Sequence, residues 1–219
     1  MVDLIHGLTA ERVGANLEHV RERISAAGAD PDGIQILAAV KYLPAEALAA
    51  LAAGGVTLAG ENRAQELVSK VAAGPEGLIW DFIGHLQSRK VRDILPRVRY
   101  IHSVASDSAL QQLARHGDES TRILVEVNVA GEEGKSGIPP AELPAFLERC
   151  PVPVVGLMTM PPLADTPEAS RPYFAALRML AEAHQLPELS MGTSQDYEVA
   201  VQEGSTIIRL GTILYRKTP

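Results

Sequence analysis

The sequence predicts an α/β fold, a single (β/α)8 barrel of the TIM type with an additional N-terminal helix. Three observations predict it. Eight strand-length apolar runs alternate with helical patterns from one end of the chain to the other. Several of those runs are almost continuously apolar, as parallel strands covered on both faces require, and helices between them imply right-handed crossovers. No GxGxxG follows the first strand, which disfavours the open dinucleotide-binding alternative. No linker rich in Pro, Gly and Ser divides the 219 residues, so one domain spanning 1–219 is expected.

The elements follow in order. Residues 9–27 open with Thr9, a good N-cap. Val13, Leu17, Val20, Ile24 and Ala27 then recur at steps of three and four, one face of a helix, and Gly28 is a stop signal. This helix is expected beside the last strand, completing the outer ring. Strands are expected at 34–40, 57–60, 78–84, 100–104, 123–129, 152–159, 189–192 and 207–214. The first is apolar except for Gln35, whereas 123–129 alternates through Glu126 and Asn128.

Composition narrows the function classes. Apolar residues make up 46% and charged residues 21%, which describes a globular chain. The net charge of −7 argues against non-specific binding to nucleic acid or anionic membranes. Cys150 is the only cysteine, so no intramolecular disulfide forms and a reducing, cytoplasmic setting is expected. The segment 1–13 carries Asp3, His6, Glu11 and Arg12 and reads as no targeting signal, and no run is long enough to span a membrane.

In such a barrel, chemistry sits at the carboxyl ends of the strands. Reading those ends gives Lys41, then Glu61 and Asn62, His85, and Ser103. The fifth gives Asn128 with Lys135 and Ser136, and the sixth Met158 and Thr159. The last two give Thr193, Ser194 and Asp196, then Arg209, Gly211 and Thr212. Lys41 stands out. A lysine at a strand end inside a barrel mouth is expected to be partly desolvated, and a neutral amine attacks carbonyls to form a Schiff base. The plainer alternative is a solvated lysine at a strand terminus. The turns 190–194 and 208–212 combine glycine with hydroxyl groups after strands 7 and 8, where barrels often hold phosphate; capping turns are the alternative. Arg209, in an apolar run, needs an acceptor. Either a carboxylate inside the barrel or a ligand atom would serve.

Other features carry less. Gly131 to Ser136 imitates a nucleotide P-loop, but Val129 stands where its first glycine belongs and prolines follow where a helix is required. The six histidines lack metal-ligand spacing, so no metal is expected. Cys150 reads as inert packing. Glu61, Glu66 and Glu126 are possible acids or bases, although most such carboxylates are surface or ion-paired groups.

Seven segments carry a family resemblance: Leu37-Ala38-Ala39-Val40-Lys41, Gly60-Glu61-Asn62-Arg63-Ala64-Gln65-Glu66, Phe82-Ile83-Gly84-His85-Leu86-Gln87-Ser88-Arg89-Lys90, Lys135-Ser136-Gly137, Gly156-Leu157-Met158-Thr159-Met160, Leu189-Ser190-Met191-Gly192 and Arg209-Leu210-Gly211-Thr212. In this order they resemble the YggS/PROSC-type pyridoxal phosphate homeostasis proteins, a pyridoxal-phosphate-binding barrel family related to the N-terminal domain of alanine racemase. The resemblance covers nearly the whole chain. It implies pyridoxal 5′-phosphate held as a Schiff base by Lys41, its phosphate at Ser194, Gly211 and Thr212, and its pyridine nitrogen facing Arg209. Asn62, His85 and Met191 would complete the pocket. Thr193 and Arg63 depart from the family pattern, which usually has a methionine and an aromatic at these positions.

An arginine beside the pyridine nitrogen disfavours its protonation and weakens the ring as an electron sink. The chain given ends at Pro219, so no C-terminal β domain carrying a second acid/base is expected. The reading is therefore a non-catalytic carrier and regulator in intracellular vitamin B6 homeostasis, with pyridoxal-phosphate-dependent apo-enzymes as candidate partners and a monomer expected. A low-rate amino-acid racemase is the alternative, and a Schiff-base aldolase ranks behind both.

Overall fold

The computed structural model describes residues 4–216. Its eight parallel strands are β1 (Gln35–Ala39), β2 (Leu58–Glu61), β3 (Ile79–Phe82), β4 (Tyr100–Val104), β5 (Arg122–Glu126), β6 (Val154–Met158), β7 (Glu188–Thr193) and β8 (Ile207–Leu210). They pair in sequence order, and β8 returns to β1 with Leu37 opposite Arg209, so the expected barrel closes without an edge. The helices are α1 (Ala10–Ala26), α2 (Leu48–Ala53), α3 (Ala64–Ala73), α4 (Val91–Ile94), α5 (Asp107–His116), α6 (Leu143–Glu148), α7 (Arg171–Ala183), α8 (Tyr197–Gln202) and α9 (Thr212–Tyr215).

Strand alternation sorts the side chains into two cores. Leu37, Leu58, Leu124, Met158 and Ile207 pack together in the lumen. The larger layer between sheet and helices includes Val20, Leu48, Ile101, Leu113 and Phe174. Gly60 makes room in the lumen: a Cβ there would lie 2.3 Å from Leu37 Cδ2 and 2.9 Å from Ile83 Cδ1.

The N-terminal helix starts where Thr9 predicts, with its side chain accepting from the Arg12 N–H at 3.3 Å. Its buried face is Val13, Asn16, Val20 and Ile24, while Leu17 is only half-buried and Ala27 is the C-cap. The helix packs against α2, α8 and α9. Asn16, a polar residue in an apolar stripe, donates through Nδ2 to the carbonyls of Leu214 (3.0 Å) and Arg216 (2.8 Å). That fastens the chain beyond β8 onto α1.

The strand expected at 207–214 is a correction. It ends at Leu210, Gly211 breaks the extended backbone at φ −113, ψ −102, and Thr212–Tyr215 turn helical. Ile213, Leu214 and Tyr215 read as strand because one helical turn is too short to show a 3.6 period.

Asn16→Ala should leave both carbonyls without this donor and cost about 1–3 kcal/mol. Urea unfolding reads the cost as a lower midpoint, and an unchanged midpoint would refute the fastening role.

Candidate functional site

A cavity of about 450 Å³ opens at the carboxyl ends of the strands, walled by residues from most of them. Lys41, Asn62, His85, Ser194, Arg209, Gly211 and Thr212 all line it. Met191 does not. It is fully buried in the outer core, because Ser190 points into the lumen and the next residue along the strand points away.

Lys41 follows β1 and is exposed, with its amine 4.9 Å from the centre of the Tyr42 ring. The expected desolvation of this lysine is therefore not found. The end of β1 is held from below by Lys70 of α3, which is 3% exposed. Its Nζ donates to the Val40 carbonyl at 2.8 Å and to Glu61 Oε2 at 2.6 Å. Glu61 Oε1 accepts from the backbone N–H groups of Asn62 (2.6 Å) and Arg63 (3.3 Å). Glu61 is thus an ion-paired brace that fixes the Asn62 turn.

Asn62 is half-buried, and its Oδ1 is buried with no hydrogen-bond partner. His85 is exposed and follows Gly84, where a Cβ would sit 1.9 Å from the Asn62 carbonyl oxygen. Only glycine allows the turns after β2 and β3 to come this close. The Ser103 hydroxyl donates to the Gly84 carbonyl and holds the same turn.

The turns after β7 and β8 meet where Gly211 N–H donates to Ser194 Oγ at 3.2 Å. Thr193 is not part of that junction. Its N–H and hydroxyl both donate to Asp196 Oδ1, at 2.7 and 3.0 Å, and Ser170 donates to Asp196 Oδ2 at 2.9 Å. Asn128 and Thr159 also serve the backbone, bonding the Glu132 and Val127 carbonyls at 2.8 Å each. Lys135 lies outside the cavity, paired with Glu132 at 3.0 Å.

Arg209 is 6% exposed and has no carboxylate in hydrogen-bond contact. Its Nη1 donates to the Ser190 carbonyl (2.7 Å) and hydroxyl (2.6 Å), and its Nη2 to the Thr159 carbonyl (2.9 Å) and Met160 Sδ (2.8 Å). Burial pulls its pKa down to about 10 against the opposing charges of Asp196 and Glu126.

Glu126 was singled out by the sequence only as one acid among several. It ends β5, which stands four strands from β1 and so across the closed barrel from the lysine-bearing strand. It is 7% exposed, lines the cavity and accepts from Ser136 Oγ at 2.7 Å. Burial raises its pKa, outweighing the Ser136 bond and the charges of Arg209 and His85. Among the described residues, no group of three His, Cys, Asp or Glu could hold a metal, and no helix is long and apolar enough to cross a membrane.

Over residues 9–219 the chain matches the family model of the alanine racemase N-terminal domain. A pyridoxal phosphate homeostasis protein of Aquifex aeolicus is 38% identical over 219 residues, covering 94% of this chain and 96% of its own. The structure of PipY from Synechococcus elongatus with PLP bound is 34% identical at a TM-score of 0.75, covering 90% of this chain and 100% of that one. An alanine racemase of Corynebacterium glutamicum shares the fold at 16% identity and a TM-score of 0.73, over 95% of this chain and 61% of that chain.

The raised pKa of Glu126 sets a direction for stability. The neutral carboxyl suits the folded state, so its contribution is full below the unfolded value of about 4.3 and is lost as pH rises through the folded value. Glu126→Gln should match the parent near pH 4 and exceed it near pH 7 in urea midpoint. A variant less stable than the parent at pH 7 would mean that Arg209 and His85 require the charge.

Proposed function

The chain belongs to the alanine racemase N-terminal domain family, among the pyridoxal phosphate homeostasis proteins, and on that premise we propose that it binds pyridoxal 5′-phosphate through Lys41 and acts as a carrier and regulator of that cofactor. The observation that carries this reading is the meeting of the Lys41 amine and the Ser194–Gly211–Thr212 turns in one cavity.

The donor set fits an aldehyde that carries a phosphate. Ser194 and Thr212 supply hydroxyl groups to an anion, and Gly211 joins the two turns by donating its N–H to Ser194 Oγ at 3.2 Å. Lys41 supplies the amine. Through its Nζ, Lys41 would hold the aldehyde of the cofactor as a reversible C=N link, with the carbonyl oxygen released as water. When bound, the cofactor supplies an electron sink for carbanion chemistry. Arg209 would temper that sink, since a guanidinium placed against the ring nitrogen would donate to it and disfavour a proton there. His85 and the Asn62 amide, whose Oδ1 lacks a donor, complete the wall.

The exposure of Lys41 favours exchange over turnover, because water and an incoming amine both reach the link. The recipients are pyridoxal-phosphate-dependent apo-enzymes in the cytoplasm, and the carrier is a monomeric single-domain barrel. One observation favours a second reading, slow proton exchange at the α-carbon of amino acids. Glu126 is a buried carboxyl in the same cavity, on the strand opposite β1.

The parent protein with cofactor should absorb in the visible, and borohydride should bleach it and leave a tag on Lys41. Lys41→Ala should lose the tag while keeping weaker, phosphate-directed binding. A colourless parent without a Lys41 adduct in excess cofactor refutes the carrier reading. Deuterium uptake by amino acids above the free-cofactor rate, abolished in Glu126→Gln, would establish the second.

A further inference from the structure

A column of polar side chains crosses the lumen beneath the cavity, and none of the residues discussed as cofactor ligands explains it. Asp81 on β3 and His102 on β4 are fully buried, as is Ser190 on β7. His102 Nε2 lies 3.0 Å from Asp81 Oδ2, and His102 Nδ1 lies 2.8 Å from Ser190 Oγ. Ser190 Oγ in turn meets Arg209 Nη1 at 2.6 Å. Strands β4 and β7 are not neighbours, so the His102–Ser190 contact spans the inside of the barrel.

Donor counting fixes every proton in this column. A guanidinium only donates, so Ser190 Oγ accepts from Arg209. The serine proton then needs an acceptor, and among the described residues the other hydrogen-bonding neighbour of Oγ is His102 Nδ1. His102 is therefore neutral, with its proton on Nε2, and donates that proton to Asp81. A charged imidazole would leave the serine proton with nowhere to go. The surroundings agree. Burial lowers the His102 pKa, and Arg209 and Arg99 lower it further, against the Asp81 bond and charge. Asp81 is anchored as the terminal acceptor. Burial alone would raise its pKa, but the hydrogen bonds from His102 and Arg99 and the Arg99 charge bring it below the usual carboxylate value. Arg99 grips it at 3.1 Å (Nε to Oδ1) and 2.6 Å (Nη2 to Oδ2), and the Tyr100 N–H adds a donor at 3.1 Å.

We propose that Asp81, His102 and Ser190 are positioning residues that orient the Arg209 guanidinium toward the bound cofactor, through a relay with one permitted proton arrangement. The proposal rests on the carrier reading above. None of the three lines the cavity, so each acts only through Arg209. The relay also anchors that arginine to the Asp81–Arg99 pair deeper in the barrel.

The first test needs no cofactor. Long-range ¹H–¹⁵N NMR of the apo-protein should show His102 neutral with the proton on Nε2 from pH 6 to 8. A charged ring or an Nδ1–H tautomer overturns the relay. The second test compares Ser190→Ala, His102→Leu and His102→Gln with the parent, each checked for folding by circular dichroism. Ser190→Ala and His102→Leu should bind pyridoxal 5′-phosphate about tenfold more weakly and shift its absorbance maximum. Their affinity for inorganic phosphate should stay unchanged, because the phosphate turns are untouched. His102→Gln, which keeps one donor and one acceptor, should recover most of the loss. If every variant binds and absorbs like the parent while the parent forms its Lys41 adduct, the relay is wrong and the carrier reading stands. If the parent forms no adduct, the carrier reading fails. Should a His102 variant not fold, Ser190→Ala and the apo-protein NMR still decide.

Discussion

A guanidinium confined inside a closed barrel is the constraint around which this molecule is arranged. Withdrawing an ion from water costs several kcal/mol even after relaxation, and here no carboxylate touches Arg209 to offset it. The chain solvates it instead with the carbonyls of Ser190 and Thr159, a hydroxyl and a thioether. Those acceptors lie midway along β7 and just beyond the end of β6, so one side chain from β8 ties three neighbouring strands together. A second buried ion, Lys70, does the same for β1 and β2 by bonding the Val40 carbonyl and Glu61 together. Each device holds one side of the cavity, and both use backbone carbonyls as acceptors, which makes the rim stiff where its side chains must be placed.

Much of the fold was legible because strands and helices alternate in period, and the first helix announces itself through Thr9. What failed, failed for physical reasons. The run 207–214 is apolar throughout except for Arg209, Gly211 and Thr212, and the switch from strand to helix at Gly211 leaves no periodic trace. Met191 sits three residues before Ser194 in sequence, yet the β7 alternation sends it outward. Partnership is harder still to read. Glu61 and Glu126 both end strands and look alike in sequence, but one is ion-paired to Lys70 and the other keeps a raised pKa beside a cavity. That difference comes from residues on other elements. The relay could have been found: Asp81 and His102 are polar residues within apolar strand runs, and a buried polar group demands partners.

The surroundings of the lysine bear on what the barrel is for. A catalyst that builds carbanions benefits from a dry, enclosed centre, where preorganised charges act without competition from solvent. Lys41 is exposed in this chain, next to a cavity whose other walls are braced. On the proposed reading, the braced Ser194–Gly211–Thr212 turns beside a solvent-reached amine would hold a cofactor and release it by simple reversal of condensation. The carrier proposal follows from that contrast between a rigid recognition half and an open covalent half.

The electrostatics of the floor complete the case. An arginine at about 10 remains charged at neutral pH, so a ring nitrogen placed against it would meet a donor and not a base able to hold a proton there. For that donor to act, its direction must be fixed, and a flexible arginine in a wet mouth would not suffice. The neutral His102, unable to take up a proton without orphaning the Ser190 hydroxyl, makes the direction insensitive to pH near neutrality. Arginine charge, serine acceptor, histidine tautomer and aspartate anchor thus form one device. Its consequence is a cofactor that would be gripped firmly while its ring is kept a poor electron sink.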